Sequence, residues 1–212
     1  MSIIVKCSLC SAPTDFFHLF REKRYYQCIN CQSVMMDPDM HLSPEDEKKR
    51  YEQHNNDVND PGYQRFVQPL VDKIQETYSP KAIGLDYGAG EGPVVTKLLS
   101  EKGYFLELYD PYFWHNQAAL TKKYDFIVCC EVIEHFSMPF KEFKLLNSLL
   151  KPKGSIYCMT EILYDYIDFG QWYYVKDPTH IFFYHPKALE WIKENFKFTY
   201  LSNEGRLIHL NK

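Results

Sequence analysis

Two cysteine pairs near the start of the chain have the spacing of a metal site. Cys7-x2-Cys10 and Cys28-x2-Cys31 are separated by 17 residues. Each pair fits a turn whose thiolates and backbone amides converge on one side. Two such turns complete a tetrahedral zinc site with zinc–sulfur distances of ~2.3 Å. Four thiolate ligands leave no open position, so a zinc ion held there would be structural. The competing reading is four free or redox-active thiols. Residues 1–40 balance four basic side chains against four acidic ones. The module therefore carries no general charge for nucleic acid, and is a candidate surface for a protein partner.

A second constellation begins at Leu85-Asp86-Tyr87-Gly88-Ala89-Gly90-Glu91-Gly92-Pro93. Glycines between a strand and a helix let the backbone turn sharply and approach a ligand closely. The spacing is G-x-G-x-G, not the G-x-G-x-x-G of dinucleotide binders. Asp110 ends the next strand, 18 residues beyond Gly92. There a carboxylate can take the two hydroxyls of a ribose.

The elements that must position these residues follow from periodicity. Residues 1–40 read as short strands and turns. Residues 41–80 form a helical linker or lid, opened by the helix start Ser43-Pro44-Glu45-Asp46-Glu47. Residues 81–212 alternate strand and helix. Strands are expected at Ala82–Tyr87, Phe105–Tyr109, Asp125–Glu131 and Ser155–Thr160, and helices at Pro93–Lys102, Phe140–Leu150 and Pro186–Asn195. A closing hairpin, Phe198–Leu201 with Leu207–Leu210, crosses Ser202-Asn-Glu-Gly205. The pattern predicts a Rossmann-like α/β fold: a doubly wound, mostly parallel sheet with a terminal antiparallel hairpin, preceded by a small zinc ribbon.

Composition bounds the rest. The chain has 212 residues, 45% hydrophobic and 25% charged, which excludes wholesale disorder. Its longest apolar run, Phe126–Cys130, is far short of the ~20 residues of a membrane span. No basic region precedes a long apolar core at the N-terminus, so a cytoplasmic protein is expected. A net charge of −4 weighs against nucleic acid as a partner. Aromatics reach 17%, and six of them lie within Glu161–Pro178. They either wall an acceptor pocket or cover an irregular insertion.

Together these residues resemble the class I S-adenosylmethionine-dependent methyltransferases over about residues 60–212. Leu85–Gly92 looks like that family's first motif, and Asp110 matches its ribose-holding acid. Tyr124–His135 looks like the fourth-strand motif, and Leu149-Leu-Lys-Pro-Lys-Gly154 like the turn before the fifth strand. The resemblance implies that Gly88, Ala89, Gly90 and Gly92 pass under the cofactor, with Asp86 buttressing the loop. Cys130 and Glu131 are then expected to give backbone contacts near the transferred methyl. Only 13 residues separate Asp110 from Tyr124, where the family usually fits a further helix and strand. Asn116, Gln117 or nearby backbone would have to serve the adenine.

Methyl transfer to oxygen or nitrogen is helped by a base with a pKa near neutral, which directs attention to histidine. His180, in Asp177-Pro-Thr-His180, matches a stretch that lines the acceptor pocket in many small-molecule members, and is the first candidate. His135 is the second, with a loop-capping role as its alternative. Small-RNA terminal-ribose methyltransferases carry a similar E-x-x-E-H as divalent-metal ligands. That likeness implies a second metal on Glu131, Glu134 and His135 if His180 joins them. His54, in Tyr51-x2-His54-Asn55, either caps the cofactor site or ends a surface helix. The expected function is methylation of a small-molecule acceptor, with S-adenosylmethionine as cofactor and structural zinc. RNA methylation and a non-catalytic cofactor-binding partner protein are the alternatives.

Overall fold

The computed structural model describes residues 5–53 and 57–212; His54 and Asn55 lie outside them. The chain opens with three antiparallel strands, β1 (Thr14–Phe20), β2 (Lys23–Cys28) and β3 (Val34–Met36). Two helices follow, α1 (Pro44–Tyr51) and α2 (Pro61–Thr77). Ser43 caps α1 as expected, its hydroxyl accepting from the Asp46 amide at 3.2 Å. No α1 residue is buried. In α2, by contrast, Val67, Leu70, Val71 and Ile74 recur at helical spacing and are all buried.

The core alternates β4 (Ile83–Tyr87), α3 (Val94–Ser100), β5 (Phe105–Tyr109), β6 (Tyr124–Cys130), α4 (Pro139–Leu149) and β7 (Leu150–Met159). It continues through β8 (Phe182–Phe183), α5 (Pro186–Asn195), β9 (Tyr200–Glu204) and β10 (Leu207–Asn211). Six strands form one sheet in the order β5-β4-β6-β7-β10-β9. The pairs β4–β5, β4–β6 and β6–β7 are parallel, while β10 runs antiparallel to β7 and β9. This is the Rossmann-like α/β sheet expected from the alternation. Central strands read as continuous apolar runs because both faces are covered. Helices α2 and α3 pack on one face, against Leu106, Phe126 and Val128. The other face receives α4 and α5, against Leu85, Ile127, Cys129 and Ile156.

The short connection after Asp110 holds one 3-10 turn, Gln117–Thr121, and no strand, as its 13 residues imply, which leaves β5 at the sheet edge. Two differences from expectation have plain causes. The hairpin turns at Gly205-Arg206, because Ser202 and Asn203 continue the ladder opposite His209 and Ile208. The second difference is long-range. Strand β8 pairs with β3 through Val34↔Phe183 and Met35↔Phe182, so the N-terminal sheet is completed by the downstream chain. Phe169, Trp172 and Tyr174 are buried against Tyr25, Val34 and Met36. Three of the six aromatics of Glu161–Pro178 therefore pack against the small sheet.

At the far end of the large sheet His209 lies flat on Tyr157, ring centroids 4.4 Å apart, with Nε2 3.0 Å from Ser155 Oγ. Burial pushes its pKa down to about 4. The unfolded ring titrates near 6.5, so the unfolded chain binds the proton more readily. Stability present above about pH 6.5 is therefore lost as pH falls through about 4. Denaturant melts at pH 7 and pH 4.5 should show that loss in the wild type, and His209→Gln should flatten it.

Candidate functional site

The four N-terminal cysteines come together as their spacing predicts. Their sulfurs lie within 4.8 Å of one another. Cys7 Sγ is 3.7 Å from Cys31 Sγ, and Cys10 Sγ is 3.3 Å from Cys28 Sγ. Four sulfurs around zinc at ~2.3 Å would be about 3.8 Å apart, so the cluster fits the ion. Shared hydrogen bonds with Cys28 and Cys31, then burial, push the Cys7 thiol well up, whereas its neighbours pull Cys28 down. Four thiolates this close would repel one another, and a cation among the sulfurs would relieve that repulsion.

The glycine loop leaves the end of β4 in a left-handed turn. Gly88 has φ +79° and Gly90 φ +61°. The Gly88 and Ala89 amides both donate to the Tyr109 carbonyl, at 2.8 and 3.2 Å, which ties the loop to β5. A Cβ at Gly88 would stand 2.6 Å from the Val132 methyls, whereas one at Gly90 would meet nothing within 4 Å. Space over Gly90 is open, as a cradle for a ligand requires. Asp86 is buried beneath the turn and accepts from Thr96 Oγ1 at 2.7 Å. Burial lifts its pKa to about 6.

Asp110 braces the same loop. Its Oδ2 accepts from the Gly90 amide at 3.0 Å, and its Oδ1 from the amides of Tyr112 and Phe113 at 2.8 and 3.0 Å. Trp114 donates from Nε1 to the Gly90 carbonyl at 2.7 Å. The chain after β5 is thus folded back onto the glycines.

At the end of β6 the chain bends sharply, with Glu131 at φ +52°. Glu131 Oε2 meets Arg206 at 2.9 Å, and the same guanidinium reaches Glu161 at 2.9 Å. Burial, then the charge of Glu134, push Glu131 up to about 8 in spite of Arg206. Glu134 is fully buried; it accepts from Thr160 Oγ1 at 3.0 Å and from the Tyr174 hydroxyl. The two histidines face each other, ring centroids 4.9 Å apart. His135 Nδ1 lies 2.8 Å from the Thr179 carbonyl, and His180 Nδ1 lies 2.7 Å from the Tyr174 carbonyl. A carbonyl only accepts, so each Nδ1 carries the proton, and Nε2 is the basic nitrogen of the neutral ring. Burial pushes the His180 pKa down. Ligand atoms of Glu134, His135 and His180 lie within 4.8 Å of one another. Glu131, the remaining member of the implied second-metal set, is absent from that group and paired with Arg206.

All of this surrounds one cavity of about 800 Å³ at the carboxyl end of the sheet. Asp86, Gly88, Ala89, Gly90, Gly92 and Asp110 line it, together with Cys130, Glu131, His135 and His180. The roof comes from α1. Glu47 accepts from Tyr112 at 2.7 Å, Arg50 pairs with Asp177 at 2.7 Å, and the Tyr51 ring meets His135 edge-on. Of the aromatic segment, only Tyr173 and Tyr174 reach the cavity wall.

A family described as a methyltransferase domain matches residues 60–203. The chain belongs to that family. Among solved structures it resembles an O-methyltransferase family protein from Burkholderia thailandensis, at 13% identity over 78% of this chain and 61% of that one, with a TM-score of 0.56. The B. thailandensis 1,6-didemethyltoxoflavin-N1-methyltransferase, bound to 1,6-didemethyltoxoflavin and S-adenosylhomocysteine, matches at 12% identity over 93% of this chain and 99% of that one (TM-score 0.55). A Nostoc punctiforme structure ascribed to an O-methyltransferase matches at 12% identity over 70% of this chain and 56% of that one (TM-score 0.51). The chain thus spans less than two thirds of the length of the first and third. At these identities the likeness is one of fold. No curated protein matches significantly. Among the described residues no helix is long and apolar enough to cross a membrane.

Sequence reasoning passed over Arg206 and Trp114. Both act across long separations, and neither sits in a motif. Their only signal is position: Arg206 occupies a hairpin tip, and Trp114 the connection that follows Asp110. The two loop glycines should respond differently to substitution. Gly88→Ala combines a left-handed φ with a clash and should cost roughly 2–3 kcal/mol of stability, against about 1 kcal/mol for Gly90→Ala. Urea melts of the two variants would measure the difference.

Proposed function

We propose that the chain transfers the methyl group of S-adenosylmethionine to a small-molecule acceptor, at oxygen, nitrogen or an activated carbon. One observation carries the reading. A single cavity of about 800 Å³ is lined by the glycine loop, Asp110 and two imidazoles together. That volume suits a cofactor and a small acceptor together, and the Burkholderia N1-methyltransferase bound to 1,6-didemethyltoxoflavin is consistent with such an acceptor.

Asp86, Gly88, Ala89, Gly90 and Gly92 form the cofactor cradle in this reading. Asp110 takes the ribose hydroxyls with its remaining lone pairs, and backbone at Cys130 and Glu131 lies beside the reacting group. Bound there, the cofactor supplies a methyl group made electrophilic by its sulfonium. The protein's task is alignment and proton removal. His180 is the base: its Nδ1 is tied to the Tyr174 carbonyl at 2.7 Å, which leaves Nε2 to accept the acceptor's proton. A lowered pKa keeps that ring neutral near pH 7. His135, beside it, orients the acceptor. In this reading residues 1–40 are a zinc-stapled module, 41–80 a helical lid and 81–212 the catalytic domain. Asp110→Ala should weaken S-adenosylhomocysteine at least tenfold by calorimetry. His180→Ala should lower turnover of an identified acceptor about a hundredfold and leave that affinity unchanged. Equal turnover would remove His180 as the base.

Zinc on Cys7, Cys10, Cys28 and Cys31 holds the small sheet. A second reading, a divalent cation at Glu134, His135 and His180, is favoured by their mutual spacing. Against it, both Glu134 oxygens already accept protein hydrogen bonds. Elemental analysis of the purified protein separates the two. One zinc per chain, lost in Cys10→Ser, is expected. A second equivalent that disappears in Glu134→Gln would support the second cation.

A further inference from the structure

The side chain of Glu131 has no task in the chemistry above. It directly follows β6 beside the glycine loop, since β6 pairs with β4, and it stands in the cavity wall. Arg206 holds one carboxylate oxygen, Oε2, at 2.9 Å. The other, Oε1, is buried and has no hydrogen-bond partner among the described residues. A buried acceptor left unsatisfied costs roughly 1–3 kcal/mol, and such an atom asks what ligand completes it. The charges nearby do not balance. Arg206 is shared between Glu131 and Glu161, and Tyr174 reaches both Glu131 and the buried Glu134. Two carboxylates share one guanidinium, and the charge of a third, Glu134, bears on Glu131. Burial, then the charge of Glu134, lift Glu131 toward its neutral form, and a cation arriving beside it would restore the charged carboxylate.

We infer that Glu131 reads positive charge at the methyl-bearing position of the cofactor. Its carboxylate, steadied by Arg206, attracts the sulfonium and is indifferent to the neutral thioether. The inference rests on the S-adenosylmethionine reading above. In the transfer, the sulfur–methyl bond breaks with its electron pair remaining on sulfur. A lone pair of the acceptor forms the new bond to carbon, and the acceptor's proton passes to His180. Sulfur ends uncharged, so the attraction exists before transfer and is gone after it. It acts as ground-state binding, helping fresh cofactor displace spent product without accelerating the chemical step.

The test needs no acceptor. Calorimetry on the full chain compares S-adenosylhomocysteine with sinefungin, in which an amine-bearing carbon replaces the methylsulfonium. Sinefungin should bind the wild type about tenfold tighter, the scale of one charge-assisted hydrogen bond. In Glu131→Gln, of equal size and uncharged, the ratio should fall to about one while S-adenosylhomocysteine binds as before. Glu131→Asp should give an intermediate ratio, and it serves in place of the glutamine variant if that does not fold. Equal affinities in the wild type, or a ratio that survives both substitutions, overturns the inference. If neither ligand binds the wild type, the cofactor reading itself fails and takes this inference with it.

Discussion

The cavity depends on one carboxylate. Asp110 accepts hydrogen bonds from the amides of Gly90, Tyr112 and Phe113, and so fastens the turn after β4 to the turn after β5. Without that brace, the hydrogen bonds holding the left-handed backbone at Gly88 and Gly90 among the described residues would be those of the Tyr109 carbonyl and the Trp114 indole. Every other wall is set relative to this corner. The end of β6 lies next to it because β4 and β6 pair in parallel register. The two histidines then lie across the opening, since each ring is tied by Nδ1 to a carbonyl of the 174–180 loop.

Much of this was legible in the sequence, for physical reasons. A strand buried on both faces must be an apolar run, and Phe126–Cys130 is one. Two C-x2-C turns can close on one another in few ways, so their spacing suffices to announce four sulfurs within reach of each other. Strand, glycine turn, helix, strand and acid, in that order, place Gly88 and Asp110 together before any coordinates exist. What stayed illegible is contact between distant segments. Phe182–Phe183 is too short to announce itself as a strand, and nothing local says that it pairs with Val34 and Met35. Likewise Glu161–Pro178 carries aromatics that suit either a pocket or an interior. The structure buries Phe169, Trp172 and Tyr174 and leaves Tyr166 in solvent.

The site combines two environments. On the glycine side, backbone amides and carbonyls do most of the holding, and the two buried carboxylates are satisfied, Asp86 by Thr96 and Asp110 by three amides. On the histidine side, side chains hold each other: Glu134 to Tyr174 and Thr160, Arg206 to Glu131 and Glu161. A backbone-built wall tolerates change in side chains, while a wall of interlocked side chains does not. The first suits an invariant ligand such as a cofactor, and the second a particular acceptor.

Strand β8 has a thermodynamic consequence of its own. Because Phe182 and Phe183 complete the N-terminal sheet, the segment carrying His180 enters that sheet two residues later. Free energy that an ion held by the four cysteines would contribute to the order of the small sheet would also reach the histidine loop. By reciprocity, a ligand that steadied the loop would tighten the grip on such an ion by the same factor. Cysteine cluster and cavity would then be a linked pair of equilibria, with occupancy of the first a setting of the second.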